Sequence, residues 1–169
     1  MTDDDFPAAL AALAAVGFPY GGDEADYEPY DAFLSAEWAT DWFRAWTGNP
    51  EVDGDRFRIF GQDGSGGYAV FWLARAGAPL TSQPIAFLGS EGQLGIVARD
   101  LSDFLWLLAD GSGPYEAVDD DWAPRPVDPA VVAIAEQWAR PPRRTVVEVV
   151  TAARAEFPDF VATIDALVR

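Results

Sequence analysis

The sequence predicts an α+β fold in which an antiparallel sheet packs against helices. Three observations predict it. Between residues 56 and 98, four short apolar runs are separated by connections too short for helical crossovers, so neighbouring strands pair antiparallel. On either side of these runs apolar residues recur at helical spacing. The chain has 169 residues, half of them hydrophobic, which makes it one domain by size and long enough to bury a full core.

Each element has its own reason. Residues 5–16 read as a short helix, with Leu10, Leu13 and Ala14 on one face and Gly17 placed to stop it. Residues 17–31 read as an acidic, aromatic loop punctuated by Gly and Pro. Residues 35–46 form a second helix with Ser35 as N-cap. Its Trp38, Trp42 and Trp46 at i, i+4, i+8 fit a core-facing stripe, with an aromatic recognition stripe as the other reading. Strands follow at 56–60, 68–74, 84–88 and 95–98; Trp72 lies in the second, which is apolar on both faces as a central strand would be. Asp100 caps a helix whose Leu101, Phe104, Leu105 and Leu108 share a face, and Gly111 ends it. Residues 112–128 read as irregular and acidic. A helical C-terminal extension spans 129–169: Val131, Ile134, Ala135 and Trp138 mark one helix. Thr145 and Glu148 form a capping box for the next, and Phe160, Val161, Ile164 and Leu167 mark the last.

Composition excludes whole classes of chemistry. The chain has no His, Cys or Lys. That removes the Ser-His-Asp triad, the Cys nucleophile, the ordinary zinc site, the Schiff base and the phosphate-loop lysine. Net charge is −17, and residues 1–128 hold 23 of the 28 acids against six of the eleven Arg. Such a surface repels phosphate backbones and steers a basic protein toward itself, or serves only solubility. The apolar run Ala8–Val16 follows acids where an export signal needs a basic segment, and no stretch approaches the ~20 apolar residues of a membrane span. The expected location is cytoplasmic.

Candidate sites divide along the same lines. The turn Gly61-Gln62-Asp63-Gly64-Ser65-Gly66-Gly67 joins strand to strand, so it reads as hairpin chemistry rather than a phosphate cradle. Calcium loops beginning at Asp53 or Asp63 fail, because the twelfth positions are Gly64 and Ala74. With 28 acids, chance pairs of carboxylates are expected and do not argue for glycoside hydrolysis. No catalytic residue, cofactor or metal site is expected. Tyr20, Tyr27 and Tyr30 in the acidic loop are candidates for contact with a partner, or are merely exposed.

The order of motifs carries a resemblance. Phe60-Gly61-x-Asp63-Gly64-x-Gly66-Gly67 is followed by Phe71-Trp72. Then come Pro84-Ile85-x-Phe87-Leu88-Gly89-Ser90-Glu91-Gly92, Val97-Ala98 and Leu101-x-Asp103-Phe104-Leu105. This series resembles the SMI1/KNR4 family of the SUKH superfamily over residues 35–111. The resemblance implies a twisted, largely antiparallel sheet of about four to six strands packed against helices. It also implies a non-enzymatic, protein-binding role. Bacterial members of the family are mostly immunity proteins of polymorphic toxin systems, and some fungal members are regulatory scaffolds. The expectation is an immunity protein that neutralises a toxin domain, with a nuclease as one such toxin; the alternatives are a regulatory or scaffold module without a toxin, and a small-ligand sensor. The expected contact surface is Asp23, Glu24, Asp26, Tyr27, Glu28, Tyr30 and Asp31 together with Asp119, Asp120 and Asp121. The motif residues themselves, Asp63 and Glu91 among them, are expected to shape turns.

Overall fold

Strand pairing follows chain order. In the computed structural model, which describes residues 5–18 and 23–169, β1 (Glu28–Pro29), β2 (Phe57–Gln62), β3 (Tyr68–Trp72), β4 (Ile85–Leu88) and β5 (Leu94–Ala98) form an open antiparallel sheet in the order β1-β2-β3-β4-β5. Tight hairpins join β2 to β3 and β4 to β5, and the longer connection 73–84, which includes the 3-10 turn Leu80–Ser82, brings β4 back antiparallel to β3. The described residues also form seven α-helices: α1 (Ala8–Val16), α2 (Ala36–Thr47), α3 (Leu101–Ala109), α4 (Pro114–Val118), α5 (Pro129–Trp138), α6 (Val146–Glu156) and α7 (Phe160–Asp165). The α+β class and the antiparallel sheet are as the sequence predicts.

Side chains of β3 alternate strictly between two apolar layers. Ala69 and Phe71 join Phe60, Ile85, Phe87 and Val97 on one face, under α1, α3 and α5. Tyr68 and Val70 join Phe57, Ile59, Ala86, Leu88 and Ile96 on the other, under α2 and α7. Burial on both faces is why β3 and β4 read as unbroken apolar runs, whereas β2 alternates Phe57 and Ile59 with the half-buried Arg58. Alternation turns Phe60 away from the Phe57–Ile59 face, and the register shift there sets Gly61 opposite Ala69 and Gln62 opposite Tyr68. The Phe60 ring packs 4.9 Å from Phe71 and 5.4 Å from Phe104.

The helix starts are set locally. The Ser35 hydroxyl accepts from Trp38 N at 3.1 Å, and the Asp100 carboxylate accepts from Asp103 N at 3.0 Å. Thr145 and Glu148 close a reciprocal capping box. The C-terminal helices are not an appendage. Val131, Ile134, Val146, Val149 and Val150 join the first layer, while Ala153, Phe160 and Ile164 join the second. The last residues are tied to α2: Arg169 N donates to Thr47 O at 2.9 Å, and Asn49 Nδ2 donates to Leu167 O at 2.9 Å.

Three expectations are corrected. The segment 17–31 is not all loop, since β1 pairs Glu28 and Pro29 with Gln62 and Gly61. The segment 112–128 is not all irregular, since Pro114 and Glu116 open α4. The buried stripe of α2 is Ala39, Phe43 and Thr47; Trp42 and Trp46 are half-buried beside it, and Trp38 is 43% exposed. Trp72 is half-buried against Phe157 and Phe160.

Candidate protein-binding site at the acidic end of the sheet

The two hairpin tips lie together at one end of the sheet. At the β2–β3 tip the Asp63 carboxylate, only 2% exposed, accepts from Gly67 N at 2.7 Å and Ser65 N at 3.1 Å. Asp63 therefore shapes the turn around Gly64 and Gly66 and offers little to a partner. At the β4–β5 tip, Gly89 N donates to Gln93 O at 2.6 Å, and Ser90, Glu91 and Gly92 are exposed. The Ser65 and Ser90 hydroxyls meet at 3.0 Å, which joins the tips. Gly67 permits this approach, because a Cβ there would lie 2.6 Å from the Phe87 ring and 2.9 Å from Gly89 Cα. From α2, Trp46 Nε1 donates to Gly89 O at 2.8 Å.

The acidic segment 23–31 is clasped to this end by one residue. Glu116 is 5% exposed; its two carboxylate oxygens accept from Asp26 N and Gly113 N, each at 2.9 Å. Asp26 in turn accepts from Gly64 N at 2.8 Å. Loop, hairpin tip and α4 are thereby fixed to one another. Asp23, Asp26, Glu28 and Asp31 are exposed, and Glu24 is half-buried.

The tyrosines behave differently from expectation. Tyr27 is not a contact residue: it is 3% exposed, with its ring edge-on to Phe18 at 5.4 Å and Phe104 at 5.8 Å. Its ring lies over Gly61, where a Cβ would stand 2.6 Å from Cε2. Its hydroxyl has no hydrogen-bond partner among the described residues, and burial pushes its pKa well above the usual value. Tyr30 is half-buried; its hydroxyl donates to Gln62 Oε1 at 2.7 Å, and Gln62 Nε2 donates to Glu28 Oε2 at 2.6 Å. Burial, then the neighbouring Tyr68 and Glu28, raise its pKa. Tyr20 lies outside the described residues.

Asp119, Asp120 and Asp121 follow α4 directly and are exposed. Asp120 adopts a left-handed conformation, φ 57°, and pairs with Arg154 at 2.8 Å. Asp121 pairs with Arg125. Tyr115, in α4, lies within reach of four of the acids. Its hydroxyl is held protonated to higher pH by Asp119 first, then by burial, then by Glu91, Asp63 and Glu116. Of the acids named from the sequence, Asp119 and Glu91 thus act on Tyr115, while Asp26 is held at the β2–β3 tip through Gly64. Of the remaining motif residues, Phe104 and Leu105 are buried in α3. Trp72 stands apart, under α7.

Sequence reasoning missed Glu116, the residue that organises this end. Its signal was present in Gly113-Pro114-x-Glu116, a Pro at the first helical position and a Glu at the third. Among the described residues no group of three or more carboxylates stands close enough to hold a metal ion. A hollow of about 370 Å³ beside β5 contains a single carboxylate, Asp120, already held by Arg154. A second hollow of about 280 Å³, between α1, α3 and the end of α5, is largely apolar. No helix among the described residues is long and apolar enough to cross a membrane. Compared with protein-family models, curated proteins and solved structures, the chain finds no match in any of the three.

Proposed function

We propose that the chain is a non-enzymatic protein-binding domain, an immunity protein of a bacterial polymorphic toxin system that neutralises a basic toxin domain in the cytoplasm. One observation carries the reading: Asp26 is bonded to the β2–β3 tip, the exposed Glu91 stands on the adjoining β4–β5 tip and the exposed Asp119 ends α4, so that Glu116 and the joined tips hold separate acidic segments at one end of the sheet. A nuclease holds phosphates with basic residues, and carboxylates presented from a fixed scaffold occupy that surface and exclude the substrate. The order of motifs shared with the SMI1/KNR4 family supports the same role.

The test is association with the toxin-domain product of the adjacent gene. The expected result is a tight stoichiometric complex whose on-rate falls steeply with salt. Neutralising Asp23, Glu91 and Asp119 together should slow association about tenfold at low ionic strength. If no neighbouring product binds the purified protein, the proposal fails.

A further inference from the structure

One face of the protein, where α2 crosses the sheet, is aromatic as well as acidic. Across the strands, Glu28, Gln62 and Tyr68 stand in one row of the sheet. Over Tyr68 lie Trp38, with ring centroids 5.4 Å apart, and Trp42, at 4.8 Å, both nearly perpendicular to it. Trp38 keeps 43% of its surface in solvent. On the same helix Glu37 and Asp41 are exposed at i, i+4, and neither pairs with a cation among the described residues. Two like charges at this spacing disfavour the helix, and a half-open indole leaves apolar surface wet.

Two half-buried aromatic rings elsewhere carry an arginine of the chain itself. Arg56 lies 5.5 Å from the Trp72 ring and Arg75 lies 5.1 Å from that of Phe157. Among the described residues no arginine covers Trp38 or Trp42 in this way. A guanidinium can stack on an indole and bond a carboxylate at the same time, which an ammonium does less well.

We infer that the Trp38–Trp42–Tyr68 face, bordered by Glu28, Glu37 and Asp41, docks an arginine-bearing segment of the protein partner. Trp38, 43% exposed over the half-buried Trp42 and the buried Tyr68, is an aromatic anchor of the residue type enriched at interface hot spots. The inference rests on the reading of the chain as a binder of basic proteins, and it adds an aromatic anchor on α2 and β3 to the carboxylate contacts of the acidic end.

A short, unstructured peptide carrying several arginines, titrated at about 0.15 M ionic strength where long-range attraction is screened, tests this face without any toxin. The readout is the set of indole N–H resonances, with that of Trp38 assigned from W38F. The peptide should shift the Trp38 resonance. W38A and the double variant E37Q/D41N should each weaken binding about tenfold, while E136Q, at an exposed position of α5 on the opposite side of the sheet, should leave it within about twofold. Circular dichroism of each variant checks that the fold is intact, and the double variant, on an exposed helix face, tests the site independently of W38A. Absence of binding, an unmoved Trp38 resonance, or an equal loss in E136Q would overturn the inference. Toxin binding is measured separately, so a failure here is distinguishable from failure of the neutralisation reading.

Discussion

Replacing Glu116 by Gln tests whether one carboxylate organises the acidic end. In the native protein its two oxygens accept from two backbone N–H groups, Asp26 and Gly113, each at 2.9 Å. A Gln amide offers one oxygen and one NH2, so one of these donors must face another donor. Hydrogen bonds to a carboxylate are worth about 1.5–3 kcal/mol, and a stranded buried donor adds to the loss, so E116Q should cost about 2–4 kcal/mol. For a slope near 2–3 kcal/mol per molar urea, the unfolding midpoint should fall by about 1 M. The effect should also be local. If the Asp26 bond is the one lost, exchange of the Asp26 amide should accelerate roughly 30-fold or more; otherwise the Gly113 amide should do so. The assays are urea unfolding and residue-resolved hydrogen exchange. A midpoint shift below about 0.3 M, with both amides still protected, would refute the clasp.

Three further outcomes follow from the same structure. Tyr27→Phe removes a buried hydroxyl without a partner among the described residues, so urea unfolding should show unchanged or increased stability, by up to about 1 kcal/mol; a loss above that would mean the hydroxyl is bonded. Gly67→Ala should separate the hairpin tips and cost about 2 kcal/mol or more, because its Cβ would meet Phe87 and Gly89 Cα; a neutral result would show that the tips can part freely. Glu148 has its pKa lowered from 4.5 by hydrogen bonds from Thr145, so its contribution to stability is present above the unfolded value and is lost as pH falls through the folded one. E148Q should therefore flatten the fall in stability below about pH 4.5; an unchanged acid profile would count against the capping box.

What was legible in the sequence was local. Ser35, Asp100 and the Thr145–Glu148 box act on backbone within three residues of themselves, and each is found capping as predicted. Strands β3 and β4 were legible because both faces are buried, which leaves continuous apolar runs. By contrast, β1 owes its strand character to Gly61 and Gln62, some thirty residues away, and a two-residue segment ending in Pro shows no periodicity. Trp38, Trp42 and Trp46 share a stripe, but so do Ala39, Phe43 and Thr47, one residue on, and only the sheet decides which stripe turns inward. Tyr27 and Tyr30 look alike in sequence; the neighbouring Phe18 and Phe104 rings bury the first, and Gln62 receives the hydroxyl of the second. The acids could be counted, yet their placement at one end of the sheet depends on Glu116 joining residues ninety positions apart.

The late position of α5, α6 and α7 has a consequence for synthesis. All five strands leave the ribosome before the helices that complete the cover of both sheet faces. At typical elongation rates residues 129–169 take roughly 2–8 s to emerge, and for that time Val97, Ile96 and Leu88 lack much of their final packing. The nascent portion, residues 1–128, carries 23 of the 28 acids, whereas residues 129–169 are neutral. Mutual repulsion between unfinished chains on one message is therefore strongest while their apolar sheets stand open, and the segment that ends the exposure brings no net charge of its own.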